Sequence, residues 1–525
     1  MKKLLIIAPF IAASLLTVAQ DKTAMKYAST ITTEDATKRL TILAADDMEG
    51  RETGKAGAAK AAEYIKAQFK SFGLKGPVTG TEYFQMLDLK EKTIASTNVI
   101  LNGQALTFLK DFYVLPGSFN NTKKTFKDFV FVGYGIASDK YDDLTNLDLT
   151  NKIAIILPGE PVVDGKSLVS GTEKMSEWTT NRTKKTNALL AKKPAAIITL
   201  NPDMSRLASN KAFFERPSLI MGADDTDRML NLYFSKEQIN ALMLQTGKNL
   251  DALNDKIKTE GKAQSFSFSS NLDVDVQNKI TPLEAKNVLG FLEGSDAKLK
   301  KEILVITAHY DHIGVGTDGD VFNGADDDGS GTTGVLEIAE AFSKAKKEGK
   351  GPKRSILFMT VVGEEKGLLG SEWYSEHPVF PLENTITNLN IDMIGRVGND
   401  FKGKADSANY VFVIGSEMLS TTLKTISENA NKTYMNMVLD YRYDDPKDPN
   451  RFYYRSDHYN FAKKNIPIIF YFNGVHEDYH RKTDEVKKIN FPLLTKRAQL
   501  VFYTAWDLAN RAEKPAVDKV SNRPN

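Results

Sequence analysis

Apolar and polar residues alternate along this chain in three successive textures. Between 32 and 75 the apolar positions follow a helical rhythm, with Ala61, Ala62, Ile65 and Phe69 on one stripe. Thr32 and Thr33 precede Glu34 and Asp35, an arrangement suited to the start of a helix, and Gly73 suits the end of a second helix over about 58–72. From about 95 to 265 the texture shortens. Runs such as Phe129-Val130-Phe131-Val132, Ile153-Ala154-Ile155-Ile156 and Ala195-Ala196-Ile197-Ile198 are separated by Gly, Asn and Asp. These predict a compact β-rich domain with a few helices. Beyond about 280, continuous apolar runs alternate with polar loops and helical stretches. The runs are Ile303-Leu304-Val305-Ile306, 356–362, 389–393 and 466–472, with helices over 334–344 and about 492–511. Continuous apolar strands are buried on both faces, so this part reads as an α/β sandwich of three layers around a mainly parallel sheet.

Length and charge narrow the picture. A chain of 525 residues holds two to four domains. A net charge of +2 offers no basic bias toward nucleic acid or acidic membranes. The first twenty residues carry Lys2 and Lys3, an apolar run broken by Pro9, and small residues around Thr17-Val18-Ala19. That is the pattern of a cleaved export signal, and the run is short for a membrane anchor. The chain has no cysteine, which excludes disulfides, thiol catalysis and a lipid-modified cysteine. The expected mature protein is exported, periplasmic or secreted, without a stable membrane anchor.

Candidate chemistry is confined to the last texture. All six histidines lie at 309 or later. His309 and Asp311 follow one predicted strand, Glu364 and Glu365 the next, Asp392 a third, and His476 and His480 the last. Asp326, Asp327 and Asp328 stand just before a helix. Ligands in open α/β sheets bind beyond the carboxyl ends of strands, so these residues converge on one site. Carboxylates mixed with imidazole suit zinc, and then manganese or cobalt. The ligands outnumber the needs of one catalytic zinc, which favours two metals sharing a carboxylate. Glu364 and Glu365 can serve one site only where the strand gives way to a loop. One then acts as ligand and its neighbour as general base toward a metal-activated hydroxide.

TAHYDHIG, NGADDDGSG, VVGEEKGLLGS, LNIDMIGR, RSDHYNF and EDYHRKTDEV occur in this order. As a set they resemble the di-zinc aminopeptidase family that includes bacterial leucyl aminopeptidases and relatives of glutamate carboxypeptidase. The segment FVGYGIASDKYDDLTNLDLTNKIAIILPG resembles the protease-associated domain often inserted in that family. With the export signal at 1–20 read from its own pattern, the resemblance implies a catalytic domain split into 21–94 and 266–515. It also implies an inserted protease-associated-like domain at 95–265 and a tail at 516–525. It implies His309 and Asp392 on one zinc, Glu365 and His480 on the other, and Asp327 bridging both. Glu364 matches the general base, Asp311 the group orienting the histidine ligand, and Tyr479 a donor to the oxyanion. A cis bond is implied between Asp327 and Asp328. His312 and His476 are expected near the site in hydrogen-bonded structural roles, His458 outside the ligand set, and His377 at the surface.

The implied activity is hydrolysis of N-terminal residues from peptide substrates. The same fold hosts carboxypeptidases and glutaminyl cyclases, and some relatives, such as transferrin receptors, bind without catalysis. The full ligand set favours a hydrolase. Arg442, Arg451 and Arg455 lie in a polar loop where they could grip a substrate carboxylate, although surface charge is the simpler role. Ser456-Asp457-His458 lacks a Gly-x-Ser-x-Gly elbow, so it does not signal a serine hydrolase.

Overall fold

The computed structural model describes residues 20–80, 82–224 and 227–520, so the expected export signal, apart from Gln20, lies outside the described residues. The chain divides into two compact units, Asp88–Leu283 and the segments on either side of it.

After a short helix over Lys22–Ala28, which the sequence reading did not anticipate, the outer unit continues with the two expected helices. Thr32 caps α1 (Thr33–Leu43) by accepting from the Asp35 amide. Helix α2 (Ala56–Phe72) buries Ala58, Ala61, Ala62, Ile65 and Phe69 and ends at Gly73, whose φ of 88° is a left-handed cap. Eight strands then form one sheet: β1 (Phe84–Met86), β2 (Lys286–Leu292), β3 (Ile303–His309), β4 (Ser355–Val361), β5 (Thr385–Ile391), β6 (Tyr410–Ile414), β7 (Val438–Asp440) and β8 (Ile468–Phe472). Their spatial order is β1-β2-β4-β3-β5-β8-β6-β7. The centre, β4-β3-β5-β8, is parallel, as is β6-β7. The pairs β1-β2, β2-β4 and β8-β6 are antiparallel. The sheet is therefore mixed: its parallel centre follows from the strand–helix alternation, and the antiparallel pairs at its margins join strands far apart in the chain.

Period-two alternation assigns the sheet faces. Val305, Leu357, Met359, Phe470 and Phe472 share a core with Tyr374 of α4 (Leu369–Glu376) and Phe461 of α5 (His458–Ala462). The intervening positions turn the other way, and Phe358 of β4 meets Phe342 of α3 (Gly331–Lys347). Phe342 also packs on Phe502 and Trp506 of α6 (Phe491–Asn510). Every residue of β3, β4 and β5 is buried, and each fully buried large apolar side chain contributes about 1.5–3 kcal/mol. The apolar runs thus hold a rigid sheet whose central strands end together, next to the polar loops.

The unit Asp88–Leu283 is built on a nine-stranded sheet with its own core, including Phe129, Phe131, Ile153, Ile155, Leu232 and Val274. The long strands Leu89–Leu101 and Phe266–Leu283 pair along their length and carry the chain in and out of this unit. The first runs through position 95 and the second begins just after position 265, so the unit extends beyond those limits to 88 and 283. The Leu87 amide donates to the Ala285 carbonyl at 2.9 Å, which places the unit's two ends side by side.

Candidate metal centre

Each parallel central strand delivers its polar residue where regular pairing stops. β3 ends on His309, and Asp311 lies two residues beyond. β4 ends at Val361, and the chain turns at Gly363, whose φ is 80°. That turn releases Glu364 and Glu365 from strand alternation. Asp392 immediately follows β5, and His480 occupies the loop after β8 with φ 58°. Asp327 lies in an irregular turn ahead of α3, with φ −100° and ψ 101°, and its bond to Asp328 is cis.

Asp327 stands between two groups of donors. Its Oδ1 is 3.3 Å from His309 Nε2, and its Oδ2 is 3.2 Å from His480 Nε2. On the first side, His309 Nε2 also lies 3.7 Å from Asp392 Oδ1 and 3.9 Å from Glu364 Oε2. On the second, His480 Nε2 is 3.1 Å from Glu365 Oε2. His309, Glu364 and Asp392 can converge on one ion, as can His312, Asp327 and Glu365. His309 Nε2 and Asp327 Oδ2 are buried without a hydrogen-bond partner. Buried polar atoms are normally paired, so these two mark positions that a cation would satisfy. Imidazole and carboxylate donors in this arrangement fit zinc.

The electrostatics point the same way. Burial alone would push His309 down, but Glu364, Asp311, Asp327 and Asp392 outweigh it and hold the imidazole well above its usual range. His480 is likewise raised to about 10, its burial outweighed by Asp327 and Glu365. Burial lifts the Glu364 carboxyl well above the carboxylate range, and Asp392 and Glu365 add to the effect. Without a cation the carboxylates retain protons on their neighbours, and metal binding displaces such protons.

Surrounding groups fix these side chains. The His309 Nδ1 is 3.1 Å from the backbone oxygen of Asp311 but 3.7 Å from its carboxylate. The orienting contact from Asp311 thus comes from its carbonyl. Its carboxylate instead accepts from Thr53 Oγ1 at 2.7 Å and from the Glu364 amide at 3.2 Å, which ties the Glu364 turn to the β3 loop. Ser456 donates to Asp392 Oδ2 at 2.6 Å. Asp484 accepts from the Asp326 and Asp327 amides, and Asp326 pairs with His476 at 3.0 Å. His312 Nδ1 contacts Glu365 Oε1 at 2.8 Å. His377 is exposed and stacks on Trp373, and His458 Nε2 donates to the Tyr453 carbonyl.

A cleft opens beside Asp327, Glu364 and Asp392, lined by Met393, Phe452, Phe470, Phe472, Val475 and Tyr479. Arg455 also lines it and donates to the Tyr479 oxygen at 3.3 Å. Arg442 pairs with Asp440, and Arg451 lies over the Tyr454 ring. Sequence reasoning missed Thr53, Ser456 and Asp484 as supports. Ser456 and Asp484 sit inside recognised motifs, whereas Thr53 belongs to a polar stretch between two helices that has no periodic signal.

Residues 287–505 match the Peptidase family M28 and form a domain of that family. The probable zinc metalloprotease of Pyrenophora teres f. teres (strain 0-1) is 26% identical over 321 residues, covering 51% of this chain and 62% of that protein. The chain thus spans about three fifths of the length of that curated relative. Aminopeptidase YwaD of Bacillus subtilis (strain 168) is 30% identical over 139 residues, 26% of this chain and 27% of that protein. The solved aminopeptidase from Aneurinibacillus sp. strain AM-1 is 19% identical, aligns over 96% of this chain and 100% of its own, and has a TM-score of 0.50. That likeness carries the fold.

Proposed function

We propose that this chain, whose residues 287–505 are a Peptidase family M28 domain, is an exported aminopeptidase that holds two zinc ions and releases N-terminal residues from peptides. The observation that carries this reading is the Asp327 carboxylate, with one oxygen toward His309 and the other toward His480. In this reading His309 and Asp392 would hold one ion, Glu365 and His480 the other, and Asp327 would serve both. Bound zinc polarises a carbonyl oxygen and makes a water acidic enough to lose its proton near neutral pH.

The chain's own groups do the rest. The Glu364 carboxylate faces the same space as His309 and takes the water's proton, then passes it to the leaving amine. The hydrogen bond that its backbone amide donates to the Asp311 carboxylate keeps it in place. The Tyr479 phenol donates to the oxygen that gains charge during attack. Arg455 donates to that phenol's oxygen, so the phenolic hydrogen is free for the substrate. The aromatic lining of the cleft excludes water and receives an apolar side chain.

The compact unit 88–283 is read as the inserted protease-associated-like domain, on its sequence motif and its separate core. Export rests on the pattern of the first twenty residues; among the described residues no helix is long and apolar enough to cross a membrane. A carboxypeptidase is the second reading, favoured by Arg455 in the cleft. Rates on aminoacyl dyes, free dipeptides and N-blocked peptides, with zinc present, separate the two. Cleavage only of substrates with a free amine supports the aminopeptidase. Cleavage of N-blocked peptides that requires a free carboxylate overturns it.

A further inference from the structure

Arg51 has no part in the ligand set, yet it is one of the most deeply buried charges in the protein, with 1% of its surface exposed. It lies between α1 and α2 with φ 52°, next to Gly50 at φ 60°. A side chain at Gly50 would meet the carbonyl oxygens of Gly314 and Phe322 at 2.4 and 2.5 Å, so the Gly-Arg pair is wedged against the loop between the first two ligand segments. Unlike Arg39 or Arg396, Arg51 makes no ion pair among the described residues. Its partners are backbone carbonyls: Tyr310 through Nε at 2.7 Å, Leu43 and Asn323 through Nη1 at 2.8 and 2.6 Å, and Gly324 through Nη2 at 2.8 Å.

Those carbonyls are not arbitrary. Tyr310 lies between His309 and Asp311, and Asn323-Gly324 leads directly into the turn that carries Asp327. One planar guanidinium therefore ties the β3 loop to the Asp327 turn from behind the site. The Arg51 carbonyl also accepts from the His312 amide at 3.2 Å. A buried cation without a counter-ion is costly. Here the nearby carboxylates of Asp327, Asp328, Asp311 and Asp484 supply a compensating field. Lysine, a point charge on a flexible stem, cannot reproduce the fork.

We propose that Arg51 is a positioning residue of the metal centre: it fixes the separation of His309 from Asp327, and with it the grip that these two residues would have on the zinc ions. This residue lies outside the segment that matches the family. The proposal rests on the two-zinc reading. The test measures zinc stoichiometry and affinity by chelator competition in the full chain and in Arg51→Lys, with circular dichroism to check folding. The folded variant is expected to lose about 10–100-fold in affinity for at least one zinc, as supporting contacts behind metal ligands commonly do. Its kcat should fall more than its KM changes. A general structural role would lower Tm but leave the affinity of the folded protein unmoved.

A second measurement needs no variant. Adding zinc to metal-free wild type should slow amide hydrogen exchange in residues 46–53 along with residues 323–331. Wild-type affinity in folded Arg51→Lys overturns the proposal. So does zinc protection confined to 323–331, and this result decides the matter if Arg51→Lys does not fold. Fewer than two zinc ions on the wild type would instead overturn the two-zinc reading on which the proposal stands.

Discussion

The two compact units put buried polar groups to opposite uses. In the unit 88–283 a buried carboxylate is fully engaged: Asp143 accepts from the Tyr141 phenol at 2.6 Å and from the Tyr134 and Ile136 amides at 2.8 and 3.3 Å. Burial raises it to about 6, and its hydrogen bonds act against that rise. In the outer unit, by contrast, His309 Nε2 and Asp327 Oδ2 are buried without partners, and carboxylates crowd one another. The first pattern closes a loop onto a core. The second makes sense as a site for cations. The comparison teaches that burial of charge is not itself a functional signal; unsatisfied valence facing other ligands is.

The sharpest way to break this contrast is to remove a predicted centre of it. Asp327→Ala should lose most bound zinc and nearly all peptidase activity, and Asp326→Ala should be milder. Metal analysis and steady-state rates check both, and equal zinc in wild type and Asp327→Ala would identify the wrong aspartate. Glu364→Gln should keep its zinc while turnover drops about 10²–10⁴-fold, the usual contribution of a general base. Near-normal turnover in that variant would remove Glu364 from the chemistry.

Excising the other unit tests the contrast from the opposite side. Its ends meet at the Leu87–Ala285 hydrogen bond, so a short flexible linker in place of 88–283 should leave β1 and β2 paired. Zinc content should persist, with some cleavage of small aminoacyl dyes, while the ratio of rates on dye and long peptide shifts. A soluble, folded deletion protein without zinc would mean that the insert helps to build the site.

Smaller effects come from single groups. Asp143→Ala leaves two amides and a phenol without their acceptor and should destabilise the unit 88–283 by about 1–3 kcal/mol. Calorimetry should show that loss at unchanged zinc content. An effect confined to acid pH concerns His458, which burial lowers to about 3. The unfolded chain, with an ordinary histidine near 6.5, takes up the proton first as pH falls. Stability should therefore decline from about pH 6.5 toward about pH 3. His458→Gln should flatten that decline in pH-dependent denaturation without changing zinc affinity. An unaltered slope would show that other groups govern it.

Local sequence was enough to place the parallel strands β3, β4, β5 and β8 and the helices α2, α3 and α6 to within a few residues, because periodicity reflects burial and each buried run reports its own environment; it did not mark β1, β2, β6 or β7. It also revealed which polar residues follow strand ends, and that Glu364 and Glu365 need a turn between strand and loop. The turn at Gly363 is where they lie. Tertiary structure decided what depends on distances across the chain. It placed the Asp311 carbonyl, rather than its carboxylate, nearer His309. It brought Thr53 from a polar loop to Asp311, Arg455 into the cleft, and Arg51 behind two loops more than 250 residues farther along. Such contacts leave no periodic trace in their own neighbourhoods. They exist because packing of α1, α2 and the sheet brings remote backbone carbonyls within reach of one guanidinium, and no local pattern encodes that geometry.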